Sequence, residues 1–121
     1  TPLDWICRDA RVVDNHPMMQ GLAPRAGLLR DMMVGINAIE KADHLAKMKK
    51  DLPVFFIAGG DDPVGNYGKG IHQCANAFRR AGMSDIQVKL YPLCRHEILN
   101  EINKEEVFQD ISDWIEKKVR I

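Results

Sequence analysis

An unbroken apolar run, Val54-Phe55-Phe56-Ile57-Ala58, constrains this chain more than any other feature. Pro53 precedes it and Gly59-Gly60 closes it. Consecutive apolar residues fill both faces of a strand, which fits a parallel sheet covered on both sides better than a half-exposed one. A Gly/Asp/Pro loop follows, from Gly59 to Gly68. The spacing of Ile71, Cys74, Ala75 and Phe78 then predicts a helix over about 69–81 with one apolar face. Arg79 and Arg80 suit its last turn, and Gly82 suits its C-terminal cap.

The run Ile86-Gln87-Val88-Lys89-Leu90-Tyr91 alternates, so a second strand with one polar face is expected near a sheet edge. Pro92 ends it. A last helix is expected after Asn103, an N-cap residue with Glu106 three positions on, in the manner of a capping box. Its buried stripe is Val107, Ile111, Trp114 and Ile115. Strands alternating with helices imply an α/β sheet with right-handed crossovers, so the two strands should be parallel neighbours. Two strands are too few for a stable doubly wound sheet, so part of the sheet is expected to be missing from this chain.

Residues 1–50 have a different character and form a separate segment from 51–121. They are Met-rich, helical in composition and broken at Pro17, Gly21, Pro24 and Gly35. Leu28, Leu29, Met32, Met33 and Ile36 fall on one helical face, read as core rather than pocket. Ala42, Leu45, Ala46 and Met48 suggest another short helix.

Composition removes several function classes. Net charge is zero over 121 residues, so a nucleic-acid role has no electrostatic support. No apolar stretch approaches the length of a membrane span, and no signal peptide is visible. Cys7, Cys74 and Cys94 are widely spaced without a CxxC pair, which fits reduced thiols in a cytoplasmic protein.

In open α/β sheets, chemistry gathers beyond the carboxyl ends of the strands. Gly59-Gly60-Asp61-Asp62-Pro63-Val64-Gly65 lies after the first strand, and Cys94-Arg95-His96-Glu97 after the second. Adjacent parallel strands lie about 4.8 Å apart, so a carboxylate on one loop can reach an imidazole on the next. A carboxylate on Nδ1 fixes the histidine tautomer and supports the imidazolium formed during proton transfer. Asp61 is read as a solvated turn residue, and His16, His44 and His72 as surface residues.

These segments resemble the α/β-hydrolase superfamily, specifically serine hydrolases of the lysophospholipase and monoacylglycerol-lipase type. Phe56 to Gly65 looks like that family's acid loop, with Asp62 at the acid position three residues after Gly59. Lys89 to Glu101 looks like its base segment, with His96 as the base. Residues 51–115 resemble its last two strands and helices. Residues 4–50, beginning Asp4-Trp5-Ile6-Cys7-Arg8-Asp9, resemble the end of its helical cap and the return to the sheet. The implied fold is the C-terminal part of an α/β-hydrolase. The implied activity is cleavage of a carboxylic ester, lysophospholipid or monoacylglycerol-like, by Asp62 and His96 with a serine upstream. Val64 is a candidate substrate contact. No cofactor or metal is required.

The chain departs from the family pattern at the nucleophile. Only Ser84 and Ser112 are present, and neither lies in Gly-x-Ser-x-Gly. The competing expectation is therefore a truncated, inactive module. It would self-associate, or pair with a missing half, through the open edge of the first strand. Other chemistries fit less well. His96-Glu97-Ile98-Leu99-Asn100 lacks the second histidine of a zinc helix, and Gly65 to Gly70 lacks phosphate-loop spacing. Cys94 is two residues from His96, but a cysteine nucleophile there is the less favoured reading.

Overall fold

A computed structural model describes residues 2–21 and 24–119. Its elements run α1 (Ala10–Asp14), a 3-10 turn (Pro17–Gln20), α2 (Ala26–Ile39), α3 (Ala42–Leu45), β1 (Val54–Gly59), α4 (Lys69–Arg80), β2 (Ile86–Tyr91) and α5 (Lys104–Val119). β1 and β2 pair in parallel, in a register running from Val54↔Ile86 to Gly59↔Tyr91. The crossover helix between them is α4, as the alternation of strand and helix requires.

Side chains alternate across a strand, so Phe55 and Phe56 point to opposite faces. Trp114 of α5 stacks on Phe55 at 5.5 Å between ring centroids. Phe78 of α4 meets Phe56 edge-on at 5.2 Å. The two helices thus cover the two faces of the sheet. α4 ends as its sequence suggests. Gly82 adopts φ 93°, its amide donates to the Arg79 carbonyl, and the Met83 amide reaches back to Phe78. That bonding is a Schellman cap, which needs a left-handed residue at the glycine.

Two expectations are refined and two are overturned. First, β2 is an edge strand as expected, but its polar face lies under α5. The Lys89 ammonium pairs with Asp110 and, at 3.4 Å, with Glu106. The Tyr91 hydroxyl donates to Asp110 at 2.7 Å. The hydrogen bonds from Lys89 and Tyr91 hold the Asp110 carboxyl below its usual range. Second, Asn103 stands directly before α5, where a cap is expected, but its side chain bonds to that of Glu106, at 3.0 Å. The Asn103 oxygen is taken by Arg8 Nη2 (2.6 Å) and by the Cys94 thiol (3.1 Å). Third, Ile115 is 48% exposed, because a two-stranded sheet is too narrow to cover the whole stripe of α5. Fourth, the Leu/Met stripe of α2 is no core. The helix forms, but none of its described residues is buried, and its main packing is against α3.

The core sits elsewhere, in two clusters. Tyr91, Cys94, Ile98 and Val107 pack beneath the ends of the strands, with Ile57 and Ile111 against them. Leu3, Ile6, Cys7 and Val13 form the second cluster, in the first fourteen residues.

Candidate acid–base site

The loop after β1 presents Asp62, which is 6% exposed. Its Oδ1 accepts the Val64 amide at 2.9 Å, the local bond of an Asx turn. Its Oδ2 is thereby aimed at the loop after β2, where it lies 3.0 Å from His96 Nδ1. The carboxylate makes Nδ1 the protonated nitrogen and leaves Nε2 as the ring position for proton transfer. The His96 side chain is 42% exposed, so the ring remains within reach of a reactant.

Backbone bonds tie the two loops together. The Gly60 amide donates to the Tyr91 carbonyl at 2.8 Å, and the Asp61 amide to the Cys94 carbonyl at 2.9 Å. Gly59 lies where the loops come closest. A Cβ there would fall on the carbonyl oxygens of Cys94 and Arg95. Asn66 (φ 49°), Tyr67 (φ 53°) and Leu93 (φ 63°) hold left-handed conformations in the same two loops. Such conformations cost roughly 1–3 kcal/mol each in a non-glycine residue, and they persist where surrounding bonds over-determine them.

Residues 5–8 complete the site. The Trp5 ring packs on the His96 ring at 5.2 Å. The His96 amide donates to the Trp5 carbonyl (3.3 Å) and the Glu97 amide to the Ile6 carbonyl (2.8 Å). Glu101, 1% exposed, accepts from the Arg95 amide at 2.8 Å and from Arg8 Nε at 2.9 Å. Sequence reasoning passed over Arg8, Trp5 and Glu101. Arg8 lies 93 positions from Glu101, and no spacing rule joins residues so far apart.

The remaining residues singled out in the sequence fall as follows. Asp61 is exposed, as are His44 and His72. His16 is not a free surface residue. Its Nδ1 accepts the Met18 amide at 3.2 Å and its Nε2 faces Glu97 at 3.4 Å. The Val64 side chain is 66% exposed, and its amide is the part that touches Asp62. Ser84 lies just before β2, at the end of the strand opposite His96, and its hydroxyl donates to the Lys50 carbonyl. Ser112 is exposed on α5. Cys7 and Cys94 are buried, and burial pushes both thiols above their usual pKa, away from the thiolate a nucleophile needs. Among the described residues no cluster of three His, Cys, Asp or Glu side chains is placed to hold a metal. No described helix is long and apolar enough to cross a membrane. A cavity of about 690 Å³ lies between the end of α2, α3 and α4, lined by Ile39, Leu45, Met48, Cys74 and Phe78 among others. Neither Asp62 nor His96 lines it.

Comparison with known proteins places this geometry in context. The sequence model of the serine aminopeptidase S33 family matches residues 1–103. Among solved structures, a highly thermostable carboxyl esterase from Bacillus coagulans, in complex with glycerol, superposes with a TM-score of 0.83 at 30% identity. That match covers 97% of this chain and 39% of the esterase chain. No curated protein matches.

Proposed function

The chain belongs to the serine aminopeptidase S33 family of α/β-hydrolases, and on that premise we propose that it supplies the acid and base of a serine ester hydrolase. One observation carries this reading. Asp62 Oδ2 lies 3.0 Å from His96 Nδ1, at the carboxyl ends of two adjacent parallel strands. In the proposed reaction a serine hydroxyl attacks the ester carbonyl while His96 Nε2 takes its proton. The same proton then goes to the leaving alkoxide, and water repeats the cycle on the acyl-enzyme. Asp62 keeps the proton of Nδ1 in place and stabilises the imidazolium.

Neither serine of this chain suits the role. The nucleophile is therefore assigned to a Gly-x-Ser-x-Gly elbow upstream, in sequence outside this chain. Residues 1–50 are taken as the end of a cap and 51–121 as part of the catalytic core. A lysophospholipid or monoacylglycerol-like ester is the proposed substrate, with Val64 beside the acyl or alcohol group. No cofactor enters the scheme.

A fluorophosphonate probe tests this. The isolated chain should gain no adduct. The protein translated from the complete reading frame should gain one, on a serine of a Gly-x-Ser-x-Gly segment, and H96A should abolish it. An adduct on Ser84 or Ser112, or full labelling in H96A, would overturn the reading.

A second reading has its own observation. Among the described residues β1 pairs only with β2, and Val54 to Ile57 remain half-buried for lack of a neighbour. An inactive module would pair that edge with a second copy or with a separate half. A concentration-independent monomer in ultracentrifugation would remove this alternative.

A further inference from the structure

Three consecutive amides of the loop that carries His96 are each held by a different acceptor. The Arg95 amide donates to Glu101 Oε1 (2.8 Å), the His96 amide to the Trp5 carbonyl (3.3 Å) and the Glu97 amide to the Ile6 carbonyl (2.8 Å). Two of these acceptors belong to the N-terminal segment. The third is bound to that segment as well. Glu101 Oε1 also accepts the Arg8 amide (3.3 Å), while Oε2 accepts Arg8 Nε (2.9 Å) and the Ile102 amide (3.3 Å).

Glu101 is thus a buried carboxylate with donors on both oxygens and no place in the proton-transfer scheme. Keeping such a charge out of water costs several kcal/mol unless every lone pair is met. Its bonds converge on one structural result, the fixed path of residues 95–97. A carboxylate–imidazole pair works only within a narrow range of distance and angle, so the ring must be aimed by its backbone as well as by its partner.

We propose that Glu101 and Arg8 are positioning residues for His96, forming a clamp by which the N-terminal segment holds the base loop in register with Asp62. This rests on the acid–base reading above and deepens it. Neither residue touches the reacting atoms. The role is to keep Nδ1 facing Asp62, and hence to keep the neutral ring in its Nδ1–H tautomer.

The test is nuclear magnetic resonance on the full chain, reading the ¹⁵N shifts of the His96 ring nitrogens through Hε1 and Hδ2. The unsubstituted chain should show the Nδ1–H tautomer. E101Q puts an amide NH₂ against either the Arg8 Nε–H or the Arg95 N–H. It should lower the Nδ1–H to Nε2–H ratio about tenfold, roughly what the loss of one ordinary hydrogen bond produces. R8Q should shift the ratio the same way by less, because the Arg8 amide still reaches Glu101. D62A separates the two claims. An unshifted ratio in D62A removes the acid–base reading and the clamp with it. A shifted ratio in D62A with unshifted ratios in folded E101Q and R8Q overturns the clamp alone. If E101Q loses the dispersed spectrum of a folded chain, R8Q decides. Loss of fold in both overturns the proposal, since the pair would then serve the fold and not the aim of His96.

Discussion

The loop carrying His96 and the helix α2 differ in nearly every physical respect. The loop has little regular structure, yet its amides at 95–97 are all bonded and its neighbours Tyr91, Cys94 and Glu101 are buried. The helix α2 has complete regular structure, yet Leu28, Leu29, Met32 and Met33 are about half exposed. Order in the loop comes from long-range polar bonds and close packing. Order in α2 comes from its own backbone bonds, which are weak support for a lone helix of 14 residues. Regular secondary structure is therefore a poor guide to where this chain is rigid. The region that positions Asp62 and His96 is the irregular one.

Substitutions can break or sharpen that contrast. The largest effect is expected from E101A, which leaves the Arg8 Nε–H and the Arg95 amide without their acceptor. Removing one partner of a buried ion pair costs about 3–5 kcal/mol, read as a fall in the urea midpoint. A loss below 1 kcal/mol would show that the loop does not depend on its polar bonds. Next comes G59A, whose methyl would displace the carbonyls of Cys94 and Arg95. About 3 kcal/mol is expected for forced overpacking against backbone, again from urea unfolding. G60A is a milder control, since a Cβ there would come only to 3.3 Å of the Tyr91 carbonyl.

A smaller effect, about 1 kcal/mol, is expected for D110N, which removes the charge that meets Lys89 and Tyr91. It carries a pH signature. The folded Asp110 carboxyl sits below its usual range because of hydrogen bonds from Lys89 and then Tyr91. Its stabilisation is therefore complete above the ordinary carboxylate pKa, near 4 by general values. It is lost as pH falls through the lower folded value. Unfolding curves between pH 6 and about 2 should show a shallower acid limb for D110N than for the parent chain. Equal slopes would mean that the carboxylate gains nothing on folding. The smallest effect is expected in α2. M32Q or L29Q should change stability by less than about 0.5 kcal/mol, as exposed substitutions do. Amide exchange should be fast in α2 and slow in β2 and at residues 95–97. A loss of 2 kcal/mol from L29Q would mean that the stripe is covered in solution and that the contrast with the loop is false.

Much of the sheet was legible in the sequence. The apolar run 54–58, the alternating run 86–91, the helix between them and the cap at Gly82 all lie where period and punctuation put them. The closeness of Asp62 and His96 followed from one rule, that adjacent parallel strands bring their carboxyl-end loops together. The misreadings share a cause. Periodicity says that a residue shares a face with others, but not what lies opposite that face. So the stripe of α2 reads as core, Ile115 as part of a buried stripe and His16 as a surface residue, though each is decided by what the fold sets against it.

Local chain chemistry alone determined β1, α4, β2 and α5, their order, the parallel pairing and the two loops that carry Asp62 and His96. Strand and helix periods, glycine and proline positions and the handedness of crossovers are short-range properties, readable within a few residues. The tertiary structure alone decided that Trp5, Ile6 and Arg8 close over residues 95–97 and that Glu101 is the buried carboxylate joining them. Those contacts span about ninety positions of chain. They exist because the buried amides and charges of an irregular loop must find partners wherever the folded chain brings them.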